Sequence, residues 1–375
     1  MTARWVPLVA LLGCAPSLDD ADTLVSAPRV LAVKAEPAEV VPGSTTTLSA
    51  LVVGPMGRLD DAPLRWQVCL NRKPLVESGV VATTCLEALD PEDTPPEPAP
   101  DAGPSDSPTS AVGTEVALTV PQEACRVFGP DPPLVEVPSS QPEGPAPDPE
   151  GTSEPVEPAR PGRPVDPDFT GGFQQPVVLR GEPLGLETAV YGVRITCANP
   201  GATRAQATQL GRFGHANGQP ALDALEYQDP RGAWRAFGET PAEVGPGDVL
   251  TLRARWPKCP AEGRDACGDK VCGPREDVAG CPGDCAPLLG CGGAERYLLL
   301  DPTTGEVTER EERLRVSWWS TGGRFGAPRT GPESDRAESQ DTFEAPDASG
   351  LYTLWVVLRD ERGGVDWRQV EVLVR

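Results

Sequence analysis

The 375-residue chain is acidic and rich in proline and glycine. It has 56 acidic and 33 basic side chains, a formal net charge of −23, 45 prolines and 40 glycines. This charge excludes nucleic acid as a partner, because nucleic-acid binding needs a basic surface that displaces counterions. It also disfavours docking on anionic lipid headgroups.

The N-terminus has the layout of a secretory signal. Arg4 supplies a positive charge, and Trp5 to Gly13 form an apolar run that is shorter than the about 20 residues of a membrane span. The run ends in Leu-Leu-Gly-Cys at Cys14, which resembles the lipobox of bacterial lipoproteins. The resemblance implies that residues 1–13 are a signal peptide and that the Cys14 thiol carries lipid. In that family an Asp after the lipidated cysteine retains the protein at the inner membrane. This chain has Ala15 there, which implies the outer membrane of a Gram-negative envelope; the resemblance does not indicate which face of that membrane the protein occupies.

The cysteine count favours the same interpretation. The chain has 11 cysteines, so lipidation of one leaves an even set that can pair completely in an oxidising compartment. The alternative is an ordinary N-terminal helix with a core cysteine, but no amphipathic pattern continues beyond it, and residues 14–28 are predicted to be a tether. The disulfide candidates, whose connectivity stays open, are Cys69, Cys85, Cys125, Cys197, Cys259, Cys267, Cys272, Cys281, Cys285 and Cys291.

Residues 29–198 show the period-two alternation of half-buried antiparallel strands. The stretch LRWQVCL, for example, places Leu64, Trp66 and Val68 on one face. The stretches TTTLSALVV, TEVALTV and AVYGVRITC alternate in the same way. Since no stretch of the chain has a convincing helical period, the predicted fold class is all-β.

Two acidic, proline-rich segments interrupt this first set of strands, at residues 90–110 and 130–167. Their composition cannot bury enough apolar surface to offset chain entropy, so both are predicted to be disordered. Because strands resume after each segment, we interpret them as loops of one domain. A true linker that divides the region is the alternative.

Residues 211–375 contain a second strand series. The stretches DVLTLRARW and LRVSWWS alternate, and LYTLWVVLRDERGGVDWRQVEVLV predicts two long strands joined at Gly363 and Gly364. The stretches VSWWSTGGRFG and FEAPDASGLYTLWVVLRD resemble the Ig-like and PKD-like sandwiches of bacterial surface proteins. The resemblance implies that Trp318 is the buried tryptophan of strand C and Tyr352 the tyrosine-corner residue.

The opening stretch PRVLAVKAEPAEVVPGSTTTLSALVVGP resembles the first strands of the same class. The chain is therefore predicted to contain two related Ig-like β-sandwiches. Leu354 stands where antibody domains have a cysteine, two residues after the corner tyrosine, so no inter-sheet disulfide is expected there.

The sharpest local motif is CGDKVCGPREDVAGCPGDC, within residues 259–291. It resembles the short CGDGxC…CPxDC modules of secreted and lipid-anchored bacterial proteins, with Lys270 in place of the second glycine. So small a segment has no core of its own, which favours a disulfide knot inserted in the second sandwich, with Cys259 and Cys291 close together at its neck. Metal thiolates are one alternative, and calcium is another. The weak calcium candidates are Asp269, Glu276, Asp277 and Asp284.

No catalytic constellation is evident, and no catalytic residue or cofactor is predicted. The one histidine, His215, lies in a loop stretch, and GxSxG, HExxH and Gly-rich phosphate motifs are absent. The expected function is a non-catalytic, lipid-anchored envelope protein with a structural, adhesive or binding role and a protein or glycan partner. A calcium- or carbohydrate-binding accessory lipoprotein and a carboxylate-dependent hydrolase are the alternatives.

Overall fold

The fold of the described residues is nearly all β, which confirms the predicted fold class. The structure is a computed structural model. It describes residues 23–69, 81–87, 110–122, 124–125, 170–181, 184–197, 199, 202–213, 216–259, 290–301, 304–332 and 336–375.

The first sandwich consists of two sheets. Its elements are β1 (Arg29–Glu36), β2 (Glu39–Val40), β3 (Thr45–Gly54), β4 (Gly57–Arg58), β5 (Arg65–Val68), α1 (Thr83–Glu87), β6 (Ser110–Val112), β7 (Glu115–Thr119), β8 (Gly172–Gly181) and β9 (Leu186–Thr196). In sheet I, β3 lies between β1 on one side and β4 and β7 on the other. Sheet II has the order β2-β9-β8-β5-β6.

The inner faces of sheets I and II form the first core. Leu48, Leu64 and Ile195 are fully buried there, and Trp66 donates its indole N–H to the carbonyl of Gly113 at 2.6 Å. This hydrogen bond satisfies the indole N–H, which a buried tryptophan requires. The face predicted from LRWQVCL is the one that packs inward.

The second sandwich also consists of two sheets, preceded by a helix. Its elements are α2 (Arg204–Phe213), β10 (Ala224–Gln228), β11 (Trp234–Ala236), β12 (Ala242–Val244), β13 (Val249–Arg255), β14 (Arg296–Leu300), β15 (Val307–Glu311), β16 (Arg315–Ser320), β17 (Arg324–Phe325), β18 (Arg329–Thr330), β19 (Glu338–Glu344), β20 (Gly350–Arg359) and β21 (Val365–Val374). Sheet III has the order β11-β10-β13-β19-β17, and sheet IV has the order β12-β21-β20-β16-β18. Strands β14 and β15 form a separate two-stranded ribbon.

The second core has the features that the Ig-like resemblance implies. Trp318 is fully buried, and its indole N–H donates to Thr330 Oγ1 at 2.8 Å. The hydroxyl of Tyr352 donates to the carbonyl of Ala348 at 2.9 Å, which is the upstream backbone bond of a tyrosine corner. Leu354 is buried in this core.

Two predictions about local structure are wrong. Helix α2 was not predicted, because its ten residues carry no apolar stripe. It begins instead at a capping box, in which Thr203 N–H donates to Gln206 Oε1 at 2.6 Å and Gln206 N–H to Thr203 Oγ1 at 3.3 Å. Ser110, placed in a disordered segment, begins strand β6. Residues 90–109 and 130–167 lie outside the described residues.

The predicted tether also departs from the structure at its C-terminal end. Thr23 and Val25 are 3% and 1% exposed, and the segment Thr23–Val25 pairs with the end of β16. Val25 N–H donates to the carbonyl of Ser320 at 2.8 Å, and Ser320 N–H donates to the carbonyl of Thr23 at 3.0 Å. These three residues are therefore part of the folded body.

The two sandwiches pack side by side, with the outer face of sheet I against the outer face of sheet IV. We call this contact the seam. Its apolar centre joins Leu51 and Val53 of β3 to Trp355 and Val357 of β20, all of them fully buried. Leu31, Ala32, Val25 and Val365 complete it. The same two strands are thus buried on both faces, which explains why β20 is apolar on both sides.

Candidate functional site

The turn between β20 and β21, residues 360–364, forms the polar end of the seam. Asp360 Oδ1 accepts the backbone N–H groups of Arg362, Gly363 and Gly364 at 2.8, 2.7 and 2.7 Å. Gly363 has a φ of 108°, which favours glycine at this position. The predicted hairpin glycines therefore shape a turn that carries a charged side chain inward.

That side chain is Arg362, which is 2% exposed and contacts two buried carboxylates. Its Nε donates to Glu312 Oε1 at 2.6 Å, and its Nη2 donates to Glu295 Oε2 at 3.0 Å. The guanidinium also lies over the ring of Tyr297, 4.8 Å from its centroid. Glu295 and Glu312 flank the β14–β15 ribbon, so the arginine ties the ribbon to sheet IV.

A second buried ion pair lies in the first sandwich beside this turn. Arg194 of β9 donates from Nε to Glu39 Oε2 at 3.0 Å, and both side chains are at most 5% exposed. Thr196 adds a bond from its hydroxyl to Glu39 Oε1 at 2.9 Å. Glu39 belongs to β2, so this pair holds the short edge strand against β9.

The linker between the sandwiches joins the two ion-pair groups. Asn217 N–H donates to Glu39 Oε2 at 2.8 Å, and Asn217 Nδ2 donates to Asp360 Oδ2 at 3.0 Å. Gln219 accepts the N–H of Val365 at 2.8 Å and donates to the carbonyl of Ala35. Asn217 therefore bridges both sandwiches with its backbone N–H and its side chain, and Gln219 does so with its side chain alone. Neither residue adds charge to the site.

Direct bonds between the sandwiches complete the polar end of the seam. Gln174 Nε2 donates to the carbonyl of Arg362 at 3.1 Å, and the hydroxyl of Tyr191 donates to the carbonyl of Gly363 at 3.2 Å. Both donors belong to sheet II. We call Glu39, Arg194, Asn217, Glu295, Glu312, Asp360 and Arg362 the seam network.

The neck of the Cys-rich insertion is attached to the seam network. Cys259 and Cys291 form a disulfide at the neck. Cys291 N–H donates to Glu295 Oε1 at 3.1 Å, and Gly218 N–H donates to Glu295 Oε2 at 3.3 Å. The same carboxylate therefore contacts Arg362, the linker and the insertion neck.

The structure contains two further disulfides, both in the first sandwich. Cys69 bonds to Cys85, and Cys125 bonds to Cys197. The remaining predicted site residues lie outside the described residues. They are Cys14, Cys267, Cys272, Cys281, Cys285, His215 and the calcium candidates Asp269, Glu276, Asp277 and Asp284.

The charges of the seam network are not balanced. Burial would raise the pKa of Glu39, but Arg194, Arg362 and two hydrogen bonds hold it below its usual value. Burial raises the pKa of Glu312 to about 8, with Asp360 and Glu295 acting in the same direction against Arg362. Burial likewise raises the pKa of Glu295. One guanidinium cannot neutralise two buried carboxylates and a nearby third, so the ionised form of Glu312 is unfavourable.

The seam network is suited to holding two domains in one orientation. Buried charge pairs of this kind contribute little net stability, because desolvation offsets the Coulomb attraction. In the described part of the chain no group of His, Cys, Asp and Glu side chains is arranged to hold a metal ion. No helix among those residues is long and apolar enough to cross a membrane.

Comparison with known proteins identifies no family. No family model and no curated protein matches the chain. The solved D0-D1 domain of Intimin aligns with 92% of this chain and 99% of its own, at 8% identity and a TM-score of 0.19. The D00-D0 domain of Intimin aligns with 91% of this chain and 98% of its own, at 8% identity and a TM-score of 0.18. Domains 4 and 5 of the S-layer protein SbsC align with 57% of this chain and 61% of their own, at 12% identity and a TM-score of 0.16. At such TM-scores these likenesses carry no argument about function.

Sequence reasoning missed the seam network. Its arginines and glutamates lie in polar stretches that read as solvated turns and strand ends, and ion pairs between distant segments leave no local pattern. The one available signal was the two-sided apolar character of β20, which indicated that both of its faces would be covered.

We expect Arg362→Met to destabilise the protein by about 3–5 kcal/mol, because it leaves the Glu295 carboxylate buried without its cation and the Glu312 carboxyl group buried without its hydrogen-bond donor. The measurement is the free energy of unfolding in urea at pH 7. Arg235→Met is the control, since Arg235 is exposed and pairs with Asp229; it is expected to cost less than about 1 kcal/mol. Equal losses for the two variants would contradict the assigned role of Arg362.

We expect the folded protein to lose stability as the pH rises from about 4.5 to about 8, the raised pKa of Glu312. The folded state holds a proton there that the unfolded chain releases, so this contribution is complete below the unfolded pKa and is lost as the pH passes the folded pKa. Glu312→Gln should flatten this part of the stability profile, measured by urea unfolding at a series of pH values. The exposed neighbour Glu311, changed to Gln, should leave the profile unaltered.

Proposed function

We propose that this chain is a non-catalytic, lipid-anchored protein of the cell envelope that presents its Cys-rich insertion to a protein or glycan partner. The observation that carries the proposal is the attachment of the insertion neck to the seam network. Cys291 and the linker residue Gly218 both donate to Glu295, which pairs with Arg362. The neck of the insertion is thus bonded directly to the buried seam network.

The side-by-side packing of the sandwiches supports a role in presenting the insertion from a fixed base, and not a role as an extended stalk. Strand β1 contacts sheet IV at Leu31, whose carbonyl accepts Arg359, and at Lys34, whose Nζ lies 3.7 Å from Asp366 Oδ1. Sandwiches joined end to end would form a longer and more bendable stalk. Packing two sheets face to face instead makes a broad base with a fixed orientation.

The membrane part of the proposal depends on Cys14. We expect the wild-type protein, produced in a Gram-negative host, to incorporate labelled palmitate and to sediment with membranes. Cys14→Ala should lose both properties, because no other thiol follows the apolar run at this position. Ser17→Ala is the matched control, since it leaves the Leu-Leu-Gly-Cys stretch intact. Label retained by Cys14→Ala would contradict the anchor.

The partner part of the proposal depends on the insertion. We expect a protein or glycan captured from intact envelopes by the wild-type chain to be lost when residues 260–290 are replaced by a short Gly-Ser bridge between Cys259 and Cys291. Shortening of residues 130–167 is the control, because it removes acidic proline-rich chain that is separate in the sequence from residues 259–291. Capture that survives the first change but not the second would contradict the proposal.

A further inference from the structure

Three arginines lie together on the outer face of sheet IV, beside the seam. Arg315 of β16 and Arg359 of β20 are direct cross-strand partners, and Arg329 of β18 is the partner of Ser317 on β16. Cross-strand partners point to the same face of a sheet, and so do residues two apart on one strand. Ser317 therefore lies among the three arginines. We call Arg315, Arg329 and Arg359 the arginine cluster.

No carboxylate in the described part of the chain pairs with the arginine cluster. Arg359 donates to Ser317 Oγ at 3.3 Å and to the carbonyl of Leu31, and both acceptors are neutral. Arg315 and Arg329 are exposed. Burial and the neighbouring charge of Arg329 lower the pKa of Arg359, so the like charges repel one another without compensation. In a chain with a net charge of −23, this local positive charge attracts anions that the rest of the surface repels.

The other polar groups beside the arginine cluster are also donors. Ser317 is 5% exposed, and its Oγ accepts from Arg359, which leaves its O–H to donate. Trp319, two residues further on the same face of β16, has a buried indole N–H without a hydrogen-bond partner in the described part of the chain. Guanidinium and indole groups donate and cannot accept. A buried donor without an acceptor indicates a bound water or ion that completes it.

The arrangement of the arginines suits a tetrahedral oxyanion. Arg315 and Arg359 lie level on neighbouring strands, about 5 Å apart at Cβ, and Arg329 lies on the diagonal, about 7–8 Å from Arg315. Long side chains at this spacing can converge on one ion. A guanidinium donates two parallel N–H groups to two oxygens of a phosphate, whereas chloride offers no such pair. A phosphomonoester carries about −1.5 to −2 at pH 7, which matches three guanidiniums better than a single carboxylate does.

We infer that the arginine cluster binds a phosphate group, held by the guanidiniums of Arg315, Arg329 and Arg359 above Ser317. The site lies where the two sandwiches meet, since Arg359 also bonds to β1 of the first sandwich. A soluble phosphate and the phosphomonoester of a lipid headgroup share this chemistry. The inference is independent of the proposed function, because the site consists of described residues and needs neither the lipid anchor nor a partner of the insertion.

The test is equilibrium binding of labelled inorganic phosphate to the purified full chain carrying Cys14→Ala, since lipid on Cys14 would attach the protein to vesicles in the second assay. We expect saturable binding that an equal concentration of chloride or acetate does not displace. Arg315→Gln with Arg329→Gln should weaken it about tenfold or more, because charge-assisted hydrogen bonds to the anion are lost. Both arginines are exposed, so this double variant is expected to fold.

The control is Arg324→Gln with Arg375→Gln, which removes the same charge from exposed arginines. These two arginines pair with Glu344 at 2.6 Å and with Glu243 at 2.8 Å. The control should leave phosphate binding unchanged. An equal loss of binding in the two double variants would overturn the inference, and so would displacement of phosphate by an equal concentration of chloride.

The second assay distinguishes the two sources of phosphate. The chain is sedimented with phosphatidylcholine vesicles that contain or lack phosphatidic acid, whose headgroup is a phosphomonoester. Sedimentation that requires phosphatidic acid and is lost with Arg315→Gln and Arg329→Gln would identify a lipid headgroup as the source. Binding of inorganic phosphate without sedimentation would identify a soluble anion. Binding in neither assay would overturn the inference.

Discussion

The pairing of Arg362 with Glu295 and Glu312 is the interaction on which the arrangement of this protein depends. It joins a hairpin turn of the second sandwich, the β14–β15 ribbon, the interdomain linker and the neck of the insertion at one buried point. A buried guanidinium is stable only when its donors are satisfied by fixed acceptors. These segments are therefore held in one relation to each other, and displacing any of them removes a bond from a buried charged group.

The apolar and polar parts of the seam have different roles. Trp355, Val357, Leu51 and Val53 remove apolar surface from water, which is the main source of stability. Apolar contact alone tolerates sliding of one sheet over another. The seam network adds direction, because Asn217 must reach Glu39 and Asp360 at the same time. The result is a two-sandwich unit with a defined orientation and not two domains on a free linker.

The seam also protects an edge strand. Strand β1 is the edge of sheet I, and an unpaired edge of eight residues can pair with other chains. The carbonyls of Leu31 and Ala35 along this edge accept bonds from Arg359 of the second sandwich and from Gln219 of the linker. Packing of the sandwiches therefore covers the edge that a single first sandwich would expose.

The sequence by itself determined the strands, their inward faces and the hairpin of the second sandwich. Alternation of apolar and polar residues is a local property, and it placed Leu64 and Trp66 in a core without knowledge of any partner strand. The glycine pair at 363–364 marked a turn for the same reason. The capping box of α2 is also a local signal, but its two residues, Thr203 and Gln206, do not predict a helix when no apolar stripe follows them.

Only the tertiary structure decided which polar residues are buried. Arg362 and Arg359 are equally charged in the sequence, but one meets two carboxylates and the other meets carbonyl and hydroxyl oxygens. Their partners lie tens to hundreds of residues away, and no periodicity records such pairs. The seam, the docking of Thr23–Val25 and the position of the insertion neck follow from how two sheets meet, because burial of a charge depends on the whole surface that covers it.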